Sequence, residues 1–345
     1  METLWFWIVG GMLTLYVVLD GMDLGAGIVH LLLAWDESDK RKVIASIGPI
    51  WSANEVWLLA AGGSLYCAFP SVYASAFSGF YLPLMMVLWL MILRGISLEL
   101  RNHIPGPLWA PMWDVVFTIS SLLLTVGFGA ALGNVVRGVP LDASGYFFVP
   151  LWTNFSTSGA LGVLDWYTVL TGLAATIVLT MHGALWVAHK TEGGLQFRAQ
   201  ELARLMWTGS IVFVLAITGA SFIVQPDIVK HFSTNPIGAI FPVIGAVGLV
   251  LARPSLDTRR NFLGSSVFIA GMVASAAYGI FPNLLIARGN PQFSLTVDNS
   301  SAPAFGLSTA IGWWVPGILL GIAYLTFAYR RFSGKVASEA VESGY

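Results

Sequence analysis

Apolar residues run along this chain in long unbroken blocks, unlike the alternation of a half-buried strand or the narrow stripe of a surface helix. Nine blocks approach or exceed the roughly 20 residues a helix needs to cross a hydrocarbon core. They cover residues 4–33, 44–66, 75–97, 114–136, 163–189, 204–225, 237–252, 262–287 and 309–330. The pattern predicts an all-α integral membrane protein with nine transmembrane helices. The segments between blocks alternate in character. Lys40, Arg41, Lys42, Arg94, Arg101, Lys190, Arg198, Arg204, Arg253, Arg259, Arg260, Arg330, Arg331 and Lys335 fall at every second connection and in the C-terminal tail. Of the 17 Lys and Arg, only Arg137, Lys230 and Arg288 fall on the other side. Basic residues are retained on the cytoplasmic side of a membrane, so the N-terminus is expected outside and the C-terminus in the cytoplasm.

The blocks group into a first four-helix half (1–136), a second (163–287), a ninth helix (309–330) and a cytoplasmic tail (331–345), all in one transmembrane domain. The first and fifth blocks both end on the inner side near a histidine, His30 and His189. The pairs Phe69-Pro70 and Phe281-Pro282 each mark an outer helix end. These are faint signs of an internal repeat.

Composition agrees: 56% of residues are hydrophobic and 10% charged, with a mean hydropathy of +0.76. The formal net charge of −1 gives no reason to expect a nucleic-acid partner. The single cysteine, Cys67, excludes an internal disulfide and any thiolate metal cluster. The N-terminus lacks a basic leader and its first apolar block is too long for a signal sequence, so that block is expected to remain as a helix.

Against this apolar background the intramembrane acids stand out. Asp20 and Asp23 lie inside the first block, three residues apart and so on one helical face. A carboxylate in hydrocarbon is expensive unless it faces protein, water or a partner, which makes it a candidate functional group. Gly11, Gly21, Gly25 and Gly27 thin the same helix for close packing. The second block opens with Trp51-Ser52-Ala53-Asn54-Glu55-Val56-Trp57. Pro49 suits a helix first turn, which would place Glu55 within the first two turns, where the helix dipole favours negative charge. Arg94 and Glu99 at the inner end of the third block, and Asp114 at the start of the fourth, sit at a similar depth. Asp20, Asp23, Glu55, Arg94, Glu99 and Asp114 thus read either as structural carboxylates with a counter-ion, or as a proton relay entering from the cytoplasm. Histidines do not suggest a haem site. His182 and His189 are seven residues apart on one face of one helix, while His30, His103 and His231 fall at or beyond block ends, and axial ligation needs residues on facing helices.

Several of these runs resemble subunit II of the cytochrome bd quinol oxidases: Leu19-Asp20-Gly21-Met22-Asp23-Leu24-Gly25-Ala26-Gly27, Pro49 to Trp57, Ala76 to Tyr81, Met112-Trp113-Asp114, Phe128 to Asn134 with Gly138-Val139-Pro140, and Ser294-Leu295-Thr296. The resemblance spans nearly the whole chain. It implies a prokaryotic plasma-membrane complex that oxidises quinol and reduces dioxygen to water. Two b-type haems, a d-type haem and the quinol site are expected on the partner, subunit I. Subunit II would hold no haem or metal, stabilise subunit I and supply part of a cytoplasm-side proton path. Some members hold a structural quinone, and a small accessory subunit accompanies some complexes. Trp51, Ser52, Asn54 and Trp57 form the motif's aromatic and polar support. Where many members have an acid directly after the first Trp, this chain has Ser52, and where those members have Gln it has Glu55, which could supply the missing carboxylate. An ion-coupled secondary transporter and a purely structural membrane scaffold are the alternatives to this reading.

Overall fold

The computed structural model describes residues 1–104 and 106–336; of the expected tail, residues 337–345 lie outside the described part. The helices are α1 (Glu2–Leu33), α2 (Glu37–Ile47), α3 (Trp51–Ala68), α4 (Pro70–Gly79), α5 (Tyr81–Leu100), α6 (Trp109–Arg137), α7 (Trp166–Lys190), α8 (Gly193–Val224), α9 (Pro226–Thr234), α10 (Ile240–Leu251), α11 (Thr258–Ile280) and α12 (Ala304–Arg331). Among the described residues, seven helices are long and apolar enough to cross a membrane, and two bent pairs raise the number to as many as nine.

The bends follow from local chemistry. Asp36 caps α2 by accepting from the Asp39 N–H at 2.8 Å, and α2 ends at the Gly48-Pro49-Ile50 turn before α3 leaves at 43°. Pro49 lies in this turn, two residues before α3, rather than in the first turn of the helix, and Glu55 is the fifth residue of α3, within its first two turns. Pro226 and Pro236 likewise bracket α9, which meets the segment Pro236–Leu251 at 106°. The seventh span is correspondingly short. The 12 residues of α10 rise only about 18 Å, helped by the 3₁₀ turn Pro236–Ala239 before them.

Glycines set the closest helix crossings, as lipid-embedded packing favours. α1 crosses α7 where Gly25 meets Gly183; a Cβ on Gly25 would stand 2.1 Å from the Leu179 carbonyl. Gly129 and Gly133 of α6 press on Thr171, Gly172 and Thr168 of α7, and Gly248 and Gly264 join α10 to α11. The main core forms around α1, α7 and α11 from Met22, Val29, Phe117, Met181, Leu185 and Phe268.

A second apolar cluster lies under the longer connections, where Trp5, Phe69, Phe147, Leu161, Leu285 and Leu307 meet. Here residues 138–165 are irregular, and Val139 exchanges backbone hydrogen bonds with Ile286 and Arg288 at 2.9 and 2.7 Å. β1 (Asn283–Leu285) pairs antiparallel with β2 (Leu295–Thr296) beside them. The Ser144 hydroxyl and N–H hold the Asp142 carboxyl below its usual range in this region. The buried Arg137 at the end of α6 pairs with Asp165, which also accepts from the Tyr167 and Thr168 N–H groups as the cap of α7. α12 is peripheral, with only Leu307 and Ala328 buried.

Candidate functional site

Two buried polar clusters lie along α1. In the first, Asp20 accepts two hydrogen bonds from Arg94 of α5, at 2.9 and 2.5 Å, with both side chains fully buried. A bidentate pair of this kind fixes both geometry and charge. Glu55 of α3 reaches the same guanidinium at 4.0 Å and remains part exposed. Asp23 forms no ion pair among the described residues; one of its oxygens accepts from Asn54 Nδ2 at 2.8 Å and the other has no hydrogen-bond partner there. Asn54 in turn accepts from the Tyr329 hydroxyl of α12 at 3.0 Å. The buried Tyr16, one turn before Asp20, presents a hydroxyl without a hydrogen-bond partner among the described residues. Trp57 closes the site from α3 with Met12 and Tyr16, and Trp51 lies against Gly95.

The second cluster centres on Asp114 of α6. It accepts from Arg101 at 2.6 and 3.2 Å, sits 2.7 Å from His30 Nε2 and pairs with Lys40 at 3.1 Å. Arg101 also donates twice to Glu37, at 3.0 Å each, and half of the Glu37 side chain is exposed. The cluster therefore extends from a buried carboxylate to the surface. Asp23 and His30 are seven residues apart, about 10 Å along α1. Between them Gly27 lies against Ser121 of α6, whose buried hydroxyl has no partner among the described residues.

The structure thus joins Asp20, Arg94 and Glu55 in one group, places Asp23 and Asn54 beside it, and puts Asp114 in a second. Glu99 is exposed on α5, and its backbone carbonyl accepts from His103. Ser52 is exposed on α3, whereas Glu55 turns toward Arg94. Sequence reasoning missed Tyr16, His30, Lys40, Arg101, Ser121 and Tyr329. Spacing could have found two of them: Tyr16 and His30 recur at helical intervals from Asp20 and Asp23.

His182 has both ring nitrogens engaged, Nδ1 with Ser265 at 2.6 Å and Nε2 with the Val18 carbonyl at 3.0 Å. His189 lies on the same side of α7, and both rings stack on Phe262. Among the described residues no group of three or more His, Cys, Asp or Glu is placed to hold a metal ion.

The family model for cytochrome bd terminal oxidase subunit II matches residues 1–332. This chain belongs to that family. It is 29% identical to the cytochrome bd-I ubiquinol oxidase subunit 2 of Escherichia coli K12, over 98% of this chain and 96% of the relative. It is also 29% identical to the cytochrome bd ubiquinol oxidase subunit 2 of Bacillus subtilis, over 89% and 88%. The solved bd oxidase of Geobacillus thermodenitrificans includes a chain with the same fold, at a TM-score of 0.75 and 16% identity, covering 96% of this chain and 98% of that one. As a bd oxidase subunit II, the protein is a multi-pass plasma-membrane component of an oxidoreductase complex and has a subunit I as partner.

Proposed function

We propose that this subunit II stabilises a subunit I carrying two b-type haems, a d-type haem and the quinol site, and that it conducts protons from the cytoplasm toward the place of dioxygen reduction. The observation that carries the reading is the line of buried polar side chains along α1. It enters at the half-exposed Glu37 and the mostly buried Lys40, passes Arg101, Asp114 and His30, and continues by Ser121 to Asp23, Asn54 and the Asp20–Arg94–Glu55 group. Buried ionisable groups in a membrane are tolerated where they pair or serve a pathway. Asp114 and Asp20 are held by cations. Asp23 is not, so it is the member that can take up and pass a proton without first breaking an ion pair. Glu55, at the arginine that also holds Asp20, occupies the role of the acid that other members carry at the position of Ser52. Glu99 contributes at the surface.

The helix packing supports two related halves. α1 packs on α3 and α6, and α5 on α6; α7 packs on α8 and α11, and α10 on α11 in the same pattern. The first helices of the two halves cross at Gly25 and Gly183, and each contacts the fourth spanning helix of the other half. α12 is the ninth helix, outside both halves. An accessory subunit and a structural quinone belong to the assembled complex in this reading.

The test uses the assembled oxidase with Asp23→Asn, Glu55→Gln and Asp114→Asn. A conducting role predicts normal haem spectra with quinol oxidation slowed at least tenfold in Asp23→Asn. A scaffold role predicts haem and turnover falling together. Unchanged turnover in all three variants would mean that protons travel elsewhere.

A further inference from the structure

The end of the molecule that gathers most of the basic residues carries a second feature, unconnected to the buried acids. Arg253 in the connection between α10 and α11, and Arg259 and Arg260 in the first turn of α11, are all exposed. Among the described residues none of their guanidinium groups forms an ion pair. Arg253 lies over the ring of Trp207 at 5.8 Å. The single acid in the connection, Asp257, directs a carboxylate oxygen at the Arg260 N–H at 3.0 Å, capping α11. Arg259, Arg260 and the capping Asp257 border an open hollow of about 330 Å³ whose apolar wall is Leu251, Leu263, Gly264 and Val267. The hollow exists because Gly264 lets α10 and α11 touch: a Cβ there would stand 2.5 Å from Ala252 N. At the tip, Leu256 is completely exposed.

We infer that Arg253, Arg259 and Arg260 with this apolar wall form a binding site for an anionic phospholipid, the phosphate resting on the arginines and an acyl chain lying along Leu251, Leu263 and Val267. Charge decides the occupant. Three cations against one capping carboxylate leave a local excess of positive charge, and arginine forks match phosphate oxygens. Basic pockets between membrane helices recognise lipid headgroups on this principle. A free phosphate would use the arginines alone. A lipid also explains why the wall is apolar and continuous with Val250 and Val247, both exposed on α10, and why a leucine stands bare among arginines at the depth of the headgroups.

The purified oxidase complex tests this in phosphatidylcholine nanodiscs containing dibrominated phosphatidylglycerol or dibrominated phosphatidylcholine. Trp207, beneath Arg253, is the reporter, isolated by subtracting the fluorescence of a Trp207→Phe complex. Phosphatidylglycerol is expected to quench Trp207 at least fivefold more strongly at equal bromine content, and the preference should vanish in Arg259→Gln/Arg260→Gln. Equal quenching by both lipids overturns the site, as does no quenching by either, which would mean that protein covers this face. Reversal of the preference by millimolar inorganic phosphate would replace the lipid by a free anion. The wild-type comparison stands even where the double variant fails to assemble.

Discussion

At the scale of single residues, the Asp20–Arg94 pair and Glu55 share one guanidinium but make opposite predictions. Removing one partner of a fully buried pair strands the other charge, at a cost of about 3–5 kcal/mol. Asp20→Asn and Arg94→Gln should each lower the thermal stability of the assembled oxidase sharply, while the double variant should lose less than the two together; equal, additive losses would show that the pair is not coupled. Glu55 stands 4.0 Å from Arg94 and is part exposed, so Glu55→Gln should alter stability by less than about 1 kcal/mol and appear in turnover instead. The acids themselves were legible, because a carboxylate in an apolar run is unmistakable. Their partners were not. Nothing in the spacing of Arg94 or Tyr329 says which face of which helix they meet, since such pairs form across spans far apart in sequence. His30 was set aside as lying at a helix end, yet it is fully buried against Asp114, because α2 folds back and covers that end.

At the scale of elements, glycine position separates crossings from lipid-facing stretches. Gly25 and Gly183 leave no room for a side chain, whereas a Cβ on Gly62 in α3 meets nothing within 4 Å. Gly25→Val should force α1 from α7 and reduce recovery of intact complex several-fold, while Gly62→Ala should be neutral or stabilise by up to about 1 kcal/mol through helix propensity. Comparable yields of the two variants would remove the crossing from the account. Asp165 gives a further test at a helix start. Asp165→Ala removes the cap of α7 and leaves Arg137 buried without its carboxylate, so a loss of about 3 kcal/mol or more is expected in denaturation. Asp165→Asn should retain part of the cap and lose less. The glycine runs on α1 and α6 announced close packing in the sequence, but Gly127 meets only Val87, at 3.8 Å, because it faces away from α7. The bend at Pro49 escaped notice for a related reason: the apolar block 44–66 continues through Pro49, so hydropathy merges what backbone chemistry divides.

At the scale of the whole molecule, the charges at the two ends tie topology to mechanism. One end holds Asp39 with Arg198, Lys190 donating to the Phe332 and Gly334 carbonyls, and Lys335 with Glu192. The other holds Trp5 against the Leu307 carbonyl, the Val139 contacts with residues 286–288 and the Arg137–Asp165 pair. Trp5 near the start of the chain lies at the second end, and Val336, the last described residue, donates to the Lys190 carbonyl at the first. By the retention of basic residues inside, we propose that the end with Lys190 and Arg198 is the cytoplasmic one. A fluorescent protein fused after Tyr345 should then fluoresce, and alkaline phosphatase inserted between Asn299 and Ser300 should be active, because each folds only on its own side. The reverse result would do more than invert the drawing. Glu37 and Lys40, where the buried acids reach the surface, would open outward, and protons consumed in dioxygen reduction would be drawn from the wrong side of the membrane, so the path and the orientation stand or fall together.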